Sequence, residues 1–388
     1  MSTPPPRMPR LPLVDPLPLV DRLPLVDPAH HHHHHHHHHA CAVESVAQLE
    51  TVYQNLTLLP GHTACYVTQP DAAGIYQIYS VDAQGVSTPL SATQVPGGPA
   101  VGLNKLELCA HPSGAWLIVG VEQEGYADAW LPQGLKIGFL QSGVWLNIWA
   151  VTPDGLRWVQ LTDFDVSAAG DGYTGVAFTS DGNTAVWAQM SGGVSSSAAF
   201  GVWRLMVADW VVTSGVPAFA NIRDITPAGA TWIEPGNFAP DNETLLISTD
   251  IGLAPPIGAY GMDQWSINVV TGALEQLTAT PTVWDEHGLY SPNGKKIAFM
   301  SSVPYPDAAG YNVLNLKTEF MLMNADGSGL QQLTHFNVPG YPESQLSNRV
   351  AAVAQWLPDG SLFGVVMGPG FALTNWSIRF HGPCGNST

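Results

Sequence analysis

One tight turn recurs along this chain and limits what it can become. It has the form Ser-Pro-Asp-Gly and is followed at once by an apolar, strand-like run. The copies are His111-Pro112-Ser113-Gly114, Thr179-Ser180-Asp181-Gly182, Ala239-Pro240-Asp241-Asn242, Ser291-Pro292-Asn293-Gly294 and Leu357-Pro358-Asp359-Gly360. Proline presets φ for a turn, and Asp or Asn followed by Gly tolerates the left-handed backbone a hairpin needs. Each copy therefore joins two antiparallel strands. Successive copies lie 52 to 68 residues apart, so the repeat is long and its loops vary.

A second mark lies between the turns. It is a strand ending near Asp-x-Gly, then a short strand ending in Leu-Thr or similar, as in residues 78–91, 148–162, 203–226, 265–278 and 320–334. Turn and outer mark together make four short strands. Residues Trp284 to Glu343 are the clearest copy. The two marks are offset by half a unit: the first outer half has no preceding turn copy, and the last turn has only WSIRFHG after it. A ring closed by strands from both termini explains the offset, whereas an open array would leave bare edges. The expected fold is all-β: a six-bladed β-propeller of four-stranded antiparallel blades over residues 62–388. Residues 41–61 are read as a segment that packs on the ring or helps to close it, either as a short helix or as an edge strand.

SPNGKKIAFMSS followed by MNADGSGLQQLT resembles the WD40-like PD40 repeat of TolB-type propellers. The resemblance covers about 60–388 and is sharpest in the fifth blade. It implies a stand-alone TolB-like propeller, because the chain has no room for the N-terminal α/β domain that TolB carries.

Residues 1–28 repeat LPLVDP-like units, and His30–His39 is an unbroken histidine run. Prolines at that density permit no periodic apolar face, so residues 1–40 read as a disordered leader with an expression tag. The formal charge of -18 then belongs to the remainder. With no basic stripe, such a surface repels phosphate backbones, which argues against a nucleic-acid partner. No apolar run reaches the roughly 18 residues of a transmembrane helix. Low Lys with many Trp, Gly, Ser and Thr suits an extracytoplasmic protein: periplasmic, secreted or, with Cys41 as a lipid-bearing residue, anchored. Cys41, Cys65, Cys109 and Cys384 allow two disulfides in three pairings, or free thiols. Asn55, Asn242, Asn375 and Asn386 sit in glycosylation sequons.

The site residues follow from phasing. Innermost strands line a propeller's channel, and residues just ahead of them are expected at its mouth. Counting back four and five residues from each turn gives Glu107, Glu234, Glu286 and His287; Asp285 adds a carboxylate, while His335 and Arg349 approach the same face. Alternation lets at most two of Asp285, Glu286 and His287 point inward together. Oxygen ligands with an imidazole suit a divalent cation (Ca²⁺, Mn²⁺ or Zn²⁺), with Glu286 and His287 as ligands, or the site needs no cofactor. Enzyme signatures such as Gly-x-Ser-x-Gly, HExxH or a P-loop are absent. The first reading is a non-catalytic module binding a protein or peptide at an acidic channel mouth. The alternative is a carbohydrate hydrolase or lyase, metal-assisted or not, using the same acids.

Overall fold

The computed structural model describes residues 41–53, 55–166, 171–253, 261–305 and 316–386; the expected leader and tag lie outside them. The chain opens with β1 (Val43–Gln48). Blade 1 is β2 (Leu56–Leu58), β3 (Cys65–Pro70), β4 (Tyr76–Val81) and β5 (Ser87–Pro89). Blade 2 is β6 (Lys105–Ala110), β7 (Leu117–Glu122), β8 (Leu146–Val151) and β9 (Trp158–Gln160), with helix α1 (Gln133–Gln141) inserted after β7. Blade 3 is β10 (Gly172–Phe178), β11 (Thr184–Gly192), β12 (Val202–Thr213) and β13 (Val216–Asp224). Blade 4 is β14 (Ile233–Phe238), β15 (Thr244–Thr249), β16 (Asp263–Asn268) and β17 (Leu274–Gln276). Blade 5 is β18 (Asp285–Tyr290), β19 (Lys296–Ser301), β20 (Glu319–Asn324) and β21 (Gln331–Gln332). Blade 6 is β22 (Val350–Trp356), β23 (Leu362–Met367) and β24 (Leu373–Phe380), completed by β1.

Every blade is a four-stranded antiparallel sheet, so the expected six-bladed propeller is the observed fold. β1 pairs with β24 from Val43↔Phe380 to Gln48↔Trp376, which makes residues 43–48 an edge strand rather than a helix. A disulfide, Cys41–Cys384, ties the same seam, leaving Cys65 and Cys109 as thiols. Blade 1 starts at Leu56, ahead of the boundary expected at residue 62. Its first hairpin turn, Leu59-Pro60-Gly61-His62, stands at the same place in the blade: His62 N donates to Leu59 O (3.0 Å), but the left-handed residue is the third, Gly61 (φ 80°), rather than the fourth. It has Gly at the third position, where the five copies have Asp, Asn or Ser, and that hid it in the sequence.

The turns share one construction. The backbone N–H of Gly114, Asn242 and Gly294 closes onto the carbonyl three residues back, as do those of Gly182 and Gly360. That fourth position is left-handed in all five, with φ between 60° and 83°. The third residue caps from within: Asp181, Asp241, Asn293 and Asp359 each accept the amide two residues on, at 2.9 to 3.0 Å. Neighbouring turns also touch. Nε2 of His111 donates to Gly182 O (2.9 Å), and its ring stacks on Trp210. Where blade 4 has Asn242 in place of glycine, Asn242 Oδ1 accepts the Ser180 amide of blade 3 (2.9 Å). The turns thus form a collar at one end of the ring.

Between blades the core is apolar, with Trp187, Trp203, Phe299, Phe320 and Phe363 fully buried. Asn375, one of the sequon asparagines, is also fully buried, and its Oδ1 accepts the Tyr53 amide (2.8 Å). It is therefore no glycan acceptor in the folded chain. Helix α1 was not legible in sequence: its N-cap is Pro132 with no side-chain cap, and it contains two glycines.

The collar separates two costs of replacing glycine. A Cβ on Gly182 would meet the His111 ring at 2.7 Å, whereas one on Gly272, also left-handed, meets nothing within 4 Å. Gly272→Ala should cost only the left-handed penalty of about 1–2 kcal/mol. Gly182→Ala should cost about 1–3 kcal/mol more, from overpacking. Urea unfolding of both variants checks the difference; equal midpoints would remove the packing role of the collar.

Candidate functional site in the central channel

The innermost strands β2, β6, β10, β14, β18 and β22 surround the channel. In β6, β10, β14, β18 and β22 the pairing register slips near the middle: at Leu106/Cys109, Thr174/Ala177, Pro235/Phe238, Glu286/Leu289 and Ala351/Val353. A slip of this kind is a β-bulge, which re-aims side chains and suspends alternation. Three bulge residues are left-handed: Glu107 (φ 56°), Gly175 (φ 64°) and His287 (φ 58°). For Glu and His that backbone is costly, and only surrounding structure holds it.

The bulges ring a cavity of about 200 Å³. Asn55, Glu107, Gly175, Pro235, His287 and Val353 each contribute from a different blade. The walls are mainly apolar, with Leu106, Leu108, Val176 and Leu289; Gln141 at the end of α1 completes one side. Glu107, Glu234, Glu286 and His287 therefore sit within their strands, not ahead of them. The innermost strand is only six residues long in blades 2, 4 and 5, and a position four before the turn falls at its centre.

Three predicted residues converge. His287 Nε2 lies 3.3 Å from Glu286 Oε1 and 3.4 Å from Glu234 Oε1. Its Nδ1–H donates to Ala352 O at 2.8 Å, so the cluster spans blades 4, 5 and 6. Glu286 Oε2 accepts the Trp284 indole N–H (2.8 Å). Glu234 and Glu286 are buried, and the His287 side chain is 9% exposed. Burial by itself would lower the imidazole pKa; the carboxylates of Glu286 and Glu234 outweigh it and hold the pKa well above the usual value. Simple alternation would have paired His287 with Asp285. The bulge at His287 instead turns two consecutive side chains, Glu286 and His287, toward one point.

Asp285, His335 and Arg349 do not line the cavity. Nδ1 of His335 lies 3.3 Å from Glu343, and its ring stacks on Tyr341 at 3.7 Å. The Arg349 guanidinium turns back onto Ser347 and the Gln345 side chain. Both belong to the connection between β21 and β22, and their local partners hold them there. Phasing missed Asn55 because the blade 1 turn was not recognised; counted from Leu59, the four-back rule gives it. Nothing in the sequence pointed to Gln141. Cys109 also lines the cavity, but burial, followed by the charge of Glu107, pushes its thiol up to about 12, so it is no ready nucleophile.

Asp285 belongs to a second buried group between blades 4 and 5. Thr280 Oγ1 lies 3.0 Å from Asp263 Oδ1 and 2.5 Å from Asp285 Oδ2. One hydroxyl has one proton to give, so one of these contacts needs a protonated carboxyl. Burial, with the Asp263 charge adding to it, pushes Asp285 up to about 7. A protonated Asp285 donates to Thr280, which donates to Asp263.

Among solved structures the fold is similar to a TolB-like protein from Agrobacterium tumefaciens, at 15% identity over 87% of this chain and 97% of that one, with TM-score 0.50. It is also similar to a puromycin hydrolase, at 10% identity and TM-score 0.50; the match takes in 84% of this chain and about half, 52%, of the hydrolase. TolB from Acinetobacter baumannii matches at 13% identity over 84% of this chain and 67% of its own, with TM-score 0.46. At these identities the likeness is one of fold. No family model and no curated protein matches the chain. Among the described residues, no helix is long and apolar enough to cross a membrane.

The Asp285 proton sets a pH dependence. The folded pKa, about 7, lies above the ordinary Asp value of 3.8, so the native state holds a proton that the unfolded chain releases. Stability should therefore fall as pH rises from about 4 to about 7 and stay level above that. Urea midpoints across that range should slope downward in wild type and flatten in Asp285→Asn. An equal slope in the variant would assign the proton to another group.

Proposed function

We propose that the protein is an extracytoplasmic, TolB-like binding module that takes a protein or peptide segment into its channel cavity. One observation carries this reading: all six blades present a residue to one cavity whose walls are apolar and whose acidic groups are Glu107 and Glu234. Apolar walls with a few placed polar groups are the usual composition of a binding pocket. A volume of about 200 Å³ suits one inserted side chain rather than a whole drug-sized molecule. An acidic lining within a chain of net charge -18 favours a basic group and steers it from a distance. The disulfide at the ring seam supports an oxidising compartment. A protein of this kind holds a partner by a tethered residue while the rigid ring stays fixed.

Short peptides ending in Lys or Arg, followed by intrinsic Trp fluorescence, provide the test. Binding should weaken with salt and fall about tenfold in Glu107→Gln, equivalent to about 1.4 kcal/mol. Peptides ending in Glu should not bind. Turnover or tight binding of oligosaccharides, with no response to basic peptides, would overturn this reading in favour of a carbohydrate-active protein.

A further inference from the structure

The distances around His287 carry more than an ion pair would. Charge-assisted N–H···O⁻ bonds settle at about 2.7–2.9 Å. Nε2 of His287 stands 3.3 and 3.4 Å from its two carboxylate oxygens, and the three donor atoms lie within 4.8 Å of one another. Donors bound at about 2.0–2.1 Å around a tetrahedral ion are separated by roughly 3.3–3.4 Å. The two Nε2 spacings are those of ligands around an ion.

The surroundings agree. Nδ1–H of His287 is committed to Ala352 O at 2.8 Å, which fixes the ring plane and makes Nε2 the nitrogen that an ion would take over from its proton. Glu286 is anchored through its other oxygen by the Trp284 indole, so Oε1 is held toward the imidazole. Glu234 and His287 both border the cavity, which gives an ion an open position on that side. A divalent ion would also neutralise two carboxylates that burial otherwise disfavours.

We propose that Glu234, Glu286 and His287 form a binding site for a divalent transition-metal ion, with Zn²⁺ as the best-fitting occupant and its fourth position open to the channel cavity. Three protein ligands including an imidazole disfavour Ca²⁺, which takes six to eight oxygens, and Mg²⁺, which keeps its waters. Among first-row divalent ions, an N/O site of this size favours the later members. The ion and the basic group of the peptide-binding reading would share Glu234, so the ion is measured with no peptide present and its failure is read apart from that reading.

The test uses the full-length, disulfide-intact chain. Metal on His30–His39 is then common to wild type and variants, and only the difference between them is read. Co²⁺ should give wild type a visible d–d band of low-symmetry, four- or five-coordinate type. Zn²⁺ should suppress that band and raise Tm by roughly 3 °C or more at about 100-fold excess over Kd. Glu234→Gln, which keeps the side chain's shape, and His287→Gln should each lose the band and weaken Zn²⁺ at least tenfold. If His287→Gln fails to fold, Glu234→Gln decides. A band and Tm shift unchanged in Glu234→Gln would overturn the site. So would a Tm response to Ca²⁺ with none to Zn²⁺.

Discussion

The hydrogen-bonded seam between β1 and β24 is the constraint on which the rest depends. Without that pairing the last blade would have only three strands and would expose the edge of β24. Here the first strand of the chain supplies the outermost strand of the last blade, and the Cys41–Cys384 disulfide joins residues 343 positions apart across the same seam. Leu49 N donates to Asn375 O (2.8 Å), and Tyr53 N is held by the Asn375 side chain, so the chain passes from the seam into blade 1 without losing contact. The cavity lies at the centre of the ring that this seam closes.

Inside the ring the decisive device is the bulge. Regular alternation would send neighbouring side chains of an inner strand to opposite faces. A bulge suspends that rule in five of the six inner strands, with a left-handed residue at three of them, Glu107, Gly175 and His287. In blade 5 this brings Glu286 and His287 to a common point, where Glu234 meets them from blade 4 and Ala352 orients the ring from blade 6. The strain of a His at φ 58° is held by these contacts from three blades. The buried carboxylate pair of Asp263 and Asp285 lies just behind, at the starts of β16 and β18, and keeps its own proton.

Much of this is legible in the sequence. The turn motif gave the blade count, and its phase gave the inner strands. Counting four residues back from each of the six turns gives Asn55, Glu107, Gly175, Pro235, His287 and Val353, and every one lines the cavity. One of these was missed because the Leu59-Pro60-Gly61-His62 turn has Gly at the third position, where the five copies have Asp, Asn or Ser. His335 and Arg349 were placed near the channel by their positions in a loop that returns to that face. Loop position does not fix side-chain direction, and the stacking of His335 on Tyr341 and the local bonds of Arg349 decided otherwise.

The sequence by itself determined the all-β class, the six blades and the offset that requires closure by both ends, because turn chemistry and strand periodicity are local properties. In five of the six blades it also determined which residue would face the channel, because the residue four before the turn falls at or beside the bulge. Tertiary structure alone decided that Cys41 pairs with Cys384, that Gln141 reaches the cavity from α1, and that Asp285 leaves the site for a second buried group with Asp263. Those outcomes depend on distances between residues of different blades or on a helix with no sequence signal, and such distances are set only when the ring has closed.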